Sequence, residues 1–353
     1  FAFSKSDKAM TDLLEHPNSA VQALVAARMG VKSTLEETRT LRLLNIAKRA
    51  GVLPVPLRYY AAHTGRWGGS DKLNMQNLPS RGSNTIKQSI VAPDGYMIID
   101  ADSSQIEART LAWLSGQTDL VDAFANNEDV YKIMASQIYN KPEEEITKDE
   151  RFVGKSVILG SGYGMGHKRF KDQLSEFNVD IDIEEAKNII HIYRDSYPCI
   201  PALWKEAQRC LDALMRKQSC ALGKHPKAIH LGENGFYLPN GMTLNYPDLQ
   251  IDQEGQYTYA SRNSRTKIYG GKVIENVCQA LARCIISWQM VQIAKYFKVA
   301  LTVHDSLVCV IEEDEVYDAQ EFIESIMRTS PKWAKGLPLD CESGVGKNYG
   351  ACS

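Results

Sequence analysis

Leu13, Leu14, Val21, Leu24, Val25, Leu35, Leu41 and Leu44 recur at helical spacing, which predicts helices across residues 1–50. Gly51 and Pro54 end that region. His63 to Gly82 (HTGRWGGSDKLNMQNLPSRG) is polar and irregular and reads as a loop or a set of short turns. The apolar run Met97–Ala101 predicts a buried strand, followed by a helix from about Ser104 to Leu114. From Asp119 to Ile229 the pattern is almost wholly helical. Residues 236–246 (FYLPNGMTLNY) predict a hairpin, because Asn-Gly between β-formers favours a type I′ turn. A long helix is expected from about Lys272 to Phe297, with Ile274, Val277, Leu281, Ile285, Trp288 and Val291 on its apolar side. Glu275, Gln279 and Arg283 line another face at i, i+4 spacing. Residues 299–311 alternate around His304-Asp305, which predicts a hairpin with the acid at its tip.

The order is therefore a strand ending in Asp102, a helical insertion, and a hairpin carrying Asp305. This is an α+β pattern. A small antiparallel sheet would bring the two acids together, and the helical block would project as a separate lobe. Two carboxylates at strand ends suit a two-metal phosphoryl-transfer site. Mg²⁺ prefers such oxygens together with substrate phosphates and water. Taken singly, each acid is more often a turn cap.

The bulk numbers narrow the class. A chain of 353 residues, 44% hydrophobic and 24% charged, is of globular type and long enough for two or three lobes. No apolar run is long enough to span a bilayer, and no signal peptide is evident. The net charge of -2 does not by itself suggest nucleic acid. Basic residues do cluster, at Arg151, Lys155, His167, Lys168, Arg169 and Lys171, and again at Arg262, Arg265, Lys267 and Lys272. These fit a basic groove or ordinary solvated helix faces. The eight cysteines are scattered without a C-x-x-C pair, which argues against disulfides and zinc and for a reducing, cytoplasmic setting.

Two further constellations carry chemistry. Arg151, Lys155, Leu159 and Tyr163 follow one another at four-residue steps and share a slowly drifting helix face. Arg151 to Leu159 spans roughly 12 Å, the length of a triphosphate lying along the helix. Gly160, Gly162, Gly164 and Gly166 loosen that helix end, as a moving lid would require. The same spacing also describes an amphipathic surface helix with a glycine-rich stop. In the polar loop, Arg66, Asn74, Gln76 and Arg81 could donate to minor-groove acceptors that both orientations of a base pair present, and the same residues also describe an ordinary polar loop.

These motifs together resemble the polymerase region of the DNA polymerase I family (family A), most like its bacteriophage members. TGR and NMQNLP match the palm-entry loop, and DADSSQIEAR matches the first catalytic motif. EDVYKIMASQIYN through RFVGKSVILGSGYGMG matches the fingers with their nucleotide-binding helix. ENVCQALAR, VHDSLV and GVGKNYG match the remaining ordered motifs, so the likeness runs collinearly from about Asn18 to the C-terminus.

The resemblance implies a right-hand polymerase fold. Its palm would be an antiparallel sheet in residues 52–118 and 262–353, with helical fingers in 119–261. Residues 1–51 would form a thumb base, too short for a complete thumb, and nothing upstream could form a 3′→5′ exonuclease domain. A polymerase-core fragment or cleavage product is expected. By the same resemblance, Asp102, Asp305 and the backbone carbonyl of Ser103 hold two Mg²⁺. Arg151 and Lys155 bind the triphosphate, and Lys155 joins the two acids as a catalytic candidate. Gln105, Glu107, Leu159 and Tyr163 complete the dNTP site, with Glu107 excluding a 2′-hydroxyl and Tyr163 at the templating position. Arg66, Asn74, Gln76, Arg81, Gln279 and His304 contact primer–template DNA. Activity as a monomer on primer–template and dNTPs is expected.

Four positions depart from the family pattern. Ser306 stands where an acid usually follows the second catalytic Asp, and Leu159 stands at an aromatic position. Glu275 replaces an Asn, and Ser103 replaces an aromatic residue. A single-subunit RNA polymerase shares the HDS motif, but Glu107 would block a ribose. A catalytically weak DNA-binding fragment is the other alternative.

Overall fold

The structure, a computed structural model, describes residues 8–30, 35–71, 73–78, 84–261 and 264–352. The chain divides into two compact units, Phe1–Pro54 with Ser175–Val179, and Val55–Leu174 with Asp180–Ser353. The first unit carries the helices Lys8–Asp12, Ser19–Gly30 and Leu35–Ala50 where the apolar spacing predicts them.

The second unit is built on a four-stranded antiparallel sheet. Its strands are β1 (Tyr96–Ser103), β2 (Lys298–Val303), β3 (Ser306–Glu312) and β4 (Cys341–Gly346), in the order β2-β3-β1-β4. In β1 the side chains of Ile98, Ile99 and Ala101 are buried, as a central strand requires. Six helices matter for the site: α1 (Ile106–Ser115), α2 (Val130–Tyr139), α3 (Lys148–Ser161), α4 (Cys199–Met215), α5 (Gly270–Ile293) and α6 (Val316–Met327). Asp129 caps α2 by accepting from the N–H groups of Tyr131 and Lys132. A capping box between Thr147 and Glu150 starts α3. Gly154 lets α3 close on α2, since a Cβ there would collide with the carbonyl oxygen of Tyr131. α5 buries Val273, Ile274, Val277, Leu281 and Ile285 completely and is a core helix.

Three expectations need correction. The helical block ends at Met215, and a three-stranded sheet built from His230–Leu231, Gly235–Tyr237 and Thr243–Asn245 follows after irregular chain. α5 stops at Ile293 rather than near Phe297, where the chain turns into β2. The 236–246 hairpin has a three-residue connection, Pro239-Asn240-Gly241. Leu238 N–H donates to Met242 O (2.8 Å) and Gly241 N–H to Leu238 O (3.0 Å). Of the Asn-Gly pair only Gly241 takes a left-handed φ (+80°). A type I′ turn needs both residues there. Pro239 instead presets the first position of a type I turn, and Gly241 closes the bulge behind it.

Candidate active site

Strand register assembles the acids. On β1, Asp102 lies opposite Ser306 of β3 and opposite Glu342 of β4. Asp100, two residues earlier, faces the same side of the sheet. β2 and β3 join through the two-residue turn His304-Asp305, with His304 at φ +54°, a conformation that histidine tolerates better than most side chains. The N–H of Ser103 donates to the carbonyl oxygen of Asp305 (3.1 Å), and the N–H of Ser104 to that of Asp340 (3.0 Å). The two strand ends are thereby tied together. Arg109, buried in α1, holds the same corner through the carbonyl oxygens of Ser104 (2.9 Å) and Phe124 (3.1 Å). A cavity of about 580 Å³ opens here, with Asp100, Asp102, Asp305, Glu342 and Lys87 on its wall. Gln76 and His304 also face it.

The acids strain one another. Asp102 remains open to the cavity, yet loss of water contact and then repulsion from Asp305, Asp100 and Glu342 push it up to about 7, with Lys87 opposing. Burial also raises Asp100 and Asp305. Among the described residues no three His, Cys, Asp or Glu side chains close into a ready metal cage. The donors present are hard carboxylate oxygens, and Oδ1 of Asp100 is buried without a hydrogen-bond partner. Such a wall fits a hard cation that completes its shell with water and substrate, as Mg²⁺ does.

The neighbouring pocket lies between α1 and α3. Gln105, at φ +54°, turns the chain from β1 into α1. Gln105, Glu107, Ile158, Leu159, Tyr163 and Asp305 enclose about 220 Å³. A second space of about 520 Å³ shares Glu107, Leu159 and Tyr163 and adds Arg169, Glu275 and Gln279. Burial raises Glu107 above the usual carboxylate range, and its ion pair with Arg66 opposes that. Leu159 is 42% exposed, an apolar side chain presented to the pocket. Arg151 and Lys155 lie on earlier turns of α3, outside these linings, and both sit over the ring of Tyr131 (5.2 and 5.8 Å). Arg151 is also paired with Asp129 (2.7 Å).

The structure thus groups Asp102, Asp305, Gln76 and His304 in one cavity, and Gln105, Glu107, Leu159, Tyr163 and Gln279 around the adjoining spaces. Ser103 lies at the junction. Asn74 uses its side-chain oxygen to accept from the N–H of Gln76 (3.0 Å). Arg81 lies outside the described residues. Part of the second basic cluster is neutralised locally, as Arg265 pairs with Asp248, Lys267 with Glu254 and Lys272 with Glu275. Sequence reasoning missed Asp100, Lys87 and Glu342. Strand alternation could have found Asp100 from Asp102. Nothing local marks Lys87 or Glu342.

The family model for DNA polymerase family A matches residues 2–351. The chain belongs to DNA polymerase family A. Among similar proteins, the DNA polymerase of Bacillus phage SP02 is 26% identical over 82% of this chain and 51% of its own length. DNA polymerase I of Pseudomonas aeruginosa is 29% identical over 90% of this chain and 32% of its own length. This family A chain therefore spans about half or less of these relatives. The POL domain of Pol1 from M. smegmatis, solved with DNA primer-template and dNTP, superposes with a TM-score of 0.71 at 22% identity. It covers 98% of this chain and 56% of that one. The shared architecture is the right-hand polymerase fold. Among the described residues, no helix is long and apolar enough to cross a membrane.

Proposed function

We propose that this chain is the catalytic core of a DNA-templated DNA polymerase, active as a monomer in the cytoplasm of a bacterial or phage-infected cell. The observation that carries this reading is the convergence of Asp102 and Asp305, tied through Ser103, beside the pocket of Glu107, Leu159 and Tyr163. In the reaction a primer 3′-oxygen bonds to the α-phosphorus of a dNTP while the bond to pyrophosphate breaks. Two Mg²⁺, when held by Asp102, Asp305 and the Ser103 carbonyl, supply charge neutralisation at the hydroxyl and the leaving group. The chain's own residues do the positioning. Arg151 exchanges its Asp129 partner for phosphate oxygens, and Lys155 binds beside it. Arg66 holds Glu107 beneath the sugar, where it excludes a 2′-hydroxyl. Tyr163 occupies the templating position until the α3 end closes. Arg66, Asn74, Gln76, Arg81 and Gln279 follow the minor groove, and His304 supports the primer end. In this reading the palm is 52–118 and 262–353, the fingers are 119–261, and residues 1–51 are a thumb base. Primer extension on a primed template tests the reading. Mg²⁺-dependent, template-directed use of dNTPs is expected, and equal use of rNTPs would favour an RNA polymerase instead.

A further inference from the structure

Position 306 is a serine in this chain, and the acid that the family pattern leads one to expect there is missing. Its side chain is small and 5% exposed, so it leaves room on the cavity wall. The neighbouring strand fills that room. Asp100 lies two residues before Asp102 on β1, diagonally across from Ser306, and borders the same cavity as Asp102, Asp305 and Glu342. Its partner on β4 is Gly344, where a Cβ would collide with the backbone of Cys352, so the wall beside Asp100 is bare backbone.

We propose that Asp100 is a positioning residue for the cation bound at Asp102, supplying from β1 the carboxylate that this chain lacks at position 306. The proposal rests on the metal-binding reading of Asp102 and Asp305. Oδ1 of Asp100 is buried without a hydrogen-bond partner, a state that proteins seldom leave unused, while the Ser306 side chain hydrogen-bonds to the same carboxyl group. Lys87, only 9% exposed, faces the same cavity with its ammonium over the Tyr349 ring (4.7 Å). It supplies positive charge that lets a further carboxylate sit among the others. Among the described residues no three such side chains form a closed cage, and Mg²⁺ keeps several waters when bound, so Asp100 would act through one of those waters. Partners of this outer kind typically change metal affinity by about 10–100-fold.

The test measures Mn²⁺ binding to the full chain by electron paramagnetic resonance, without DNA or dNTP. Mg²⁺ titration of primer extension runs beside it. Asp100→Asn should weaken Mn²⁺ binding roughly tenfold or more. It should raise the half-saturating Mg²⁺ concentration of primer extension to match. Adding Ser306→Glu to Asp100→Asn should restore the affinity, because the acid returns to the same wall from β3. Asp100→Ser, smaller and neutral, decides the matter should the amide variant not fold. Unchanged Mn²⁺ affinity with a lowered thermal midpoint would make Asp100 a packing residue and overturn the proposal. Asp102→Asn is the control. If it too leaves Mn²⁺ binding unchanged, the metal reading of the cavity fails first.

Discussion

The N–H of Ser103 donates to the carbonyl oxygen of Asp305 at 3.1 Å, joining the end of β1 to the β2–β3 turn. The spacing of the two aspartates is therefore set by backbone, and changing either side chain should leave the scaffold intact. Asp102→Asn or Asp305→Asn is expected to abolish primer extension in single turnover while leaving DNA binding largely unchanged. Ser306→Ala should be much milder, since a hydroxyl is a poor Mg²⁺ ligand. Near-parental extension by either Asn variant would remove the acids from the reaction.

Glu107 is held by Arg66, and burial raises its carboxyl above the ordinary range. Glu107→Ala should increase ribonucleotide incorporation, relative to dNTP use, by about tenfold or more. Arg66→Ala should shift the same ratio partway, because the carboxylate loses its anchor. The check is kcat/KM for rNTP over dNTP. A ratio that does not move would mean that Glu107 is not beneath the sugar.

Leu159 projects into the pocket that Glu107 and Tyr163 line, and its exposure leaves room for a larger side chain. The parent protein should discriminate against dideoxynucleotides. Leu159→Tyr should relax this by about tenfold to a hundredfold, the cost of one unsatisfied polar group. The ratio of kcat/KM for dNTP over ddNTP in both proteins decides it.

Arg151 is engaged by Asp129, which also caps α2. Asn caps a helix as well as Asp does, so Asp129→Asn keeps α2 while releasing the guanidinium. The KM for dNTP should fall by a factor of about 2–5, the worth of a partly exposed ion pair. A rise in KM would show that Asp129 instead aligns Arg151 for the phosphates.

Asp102 titrates near 7 where 3.8 is ordinary, because of lost water contact and the surrounding acids. The unfolded chain ionises Asp102 near 3.8, whereas the folded chain must wait until about 7. Its stabilising contribution is therefore present below the ordinary carboxylate range and is lost as pH rises through about 7. The metal-free protein should show a falling thermal midpoint between those values. Asp102→Asn should flatten that slope, and Mg²⁺ should reverse it near neutrality. The half-saturating Mg²⁺ for extension should drop as pH climbs from about 6 to about 8, since ionisation is then no longer opposed by a bound proton.

Much of this architecture was legible along the chain. The strand that ends at Asp102, the helix bearing Glu107, the hairpin with Asp305 at its tip and the core helix α5 all announce themselves through periodicity. Periodicity records which face of one element is buried, and that is a local property. The same rule, applied two residues back, would have placed Asp100 beside Asp102. Other features were not local. Glu342 meets Asp102 only through the register of β4 on β1, and Lys87 enters the same wall from a separate short helix. Asp129 claims Arg151 across the packing of α2 on α3, and Pro239 outweighs the Asn-Gly signal at its turn. Strand register, helix packing and ion-pair choice depend on which segments meet, and free energy selects those partners only once the whole core has formed. The sequence by itself determined the elements and the acids they carry, whereas the crowding that lifts Asp102 exists only where four carboxylates from two strands and a turn share one cavity.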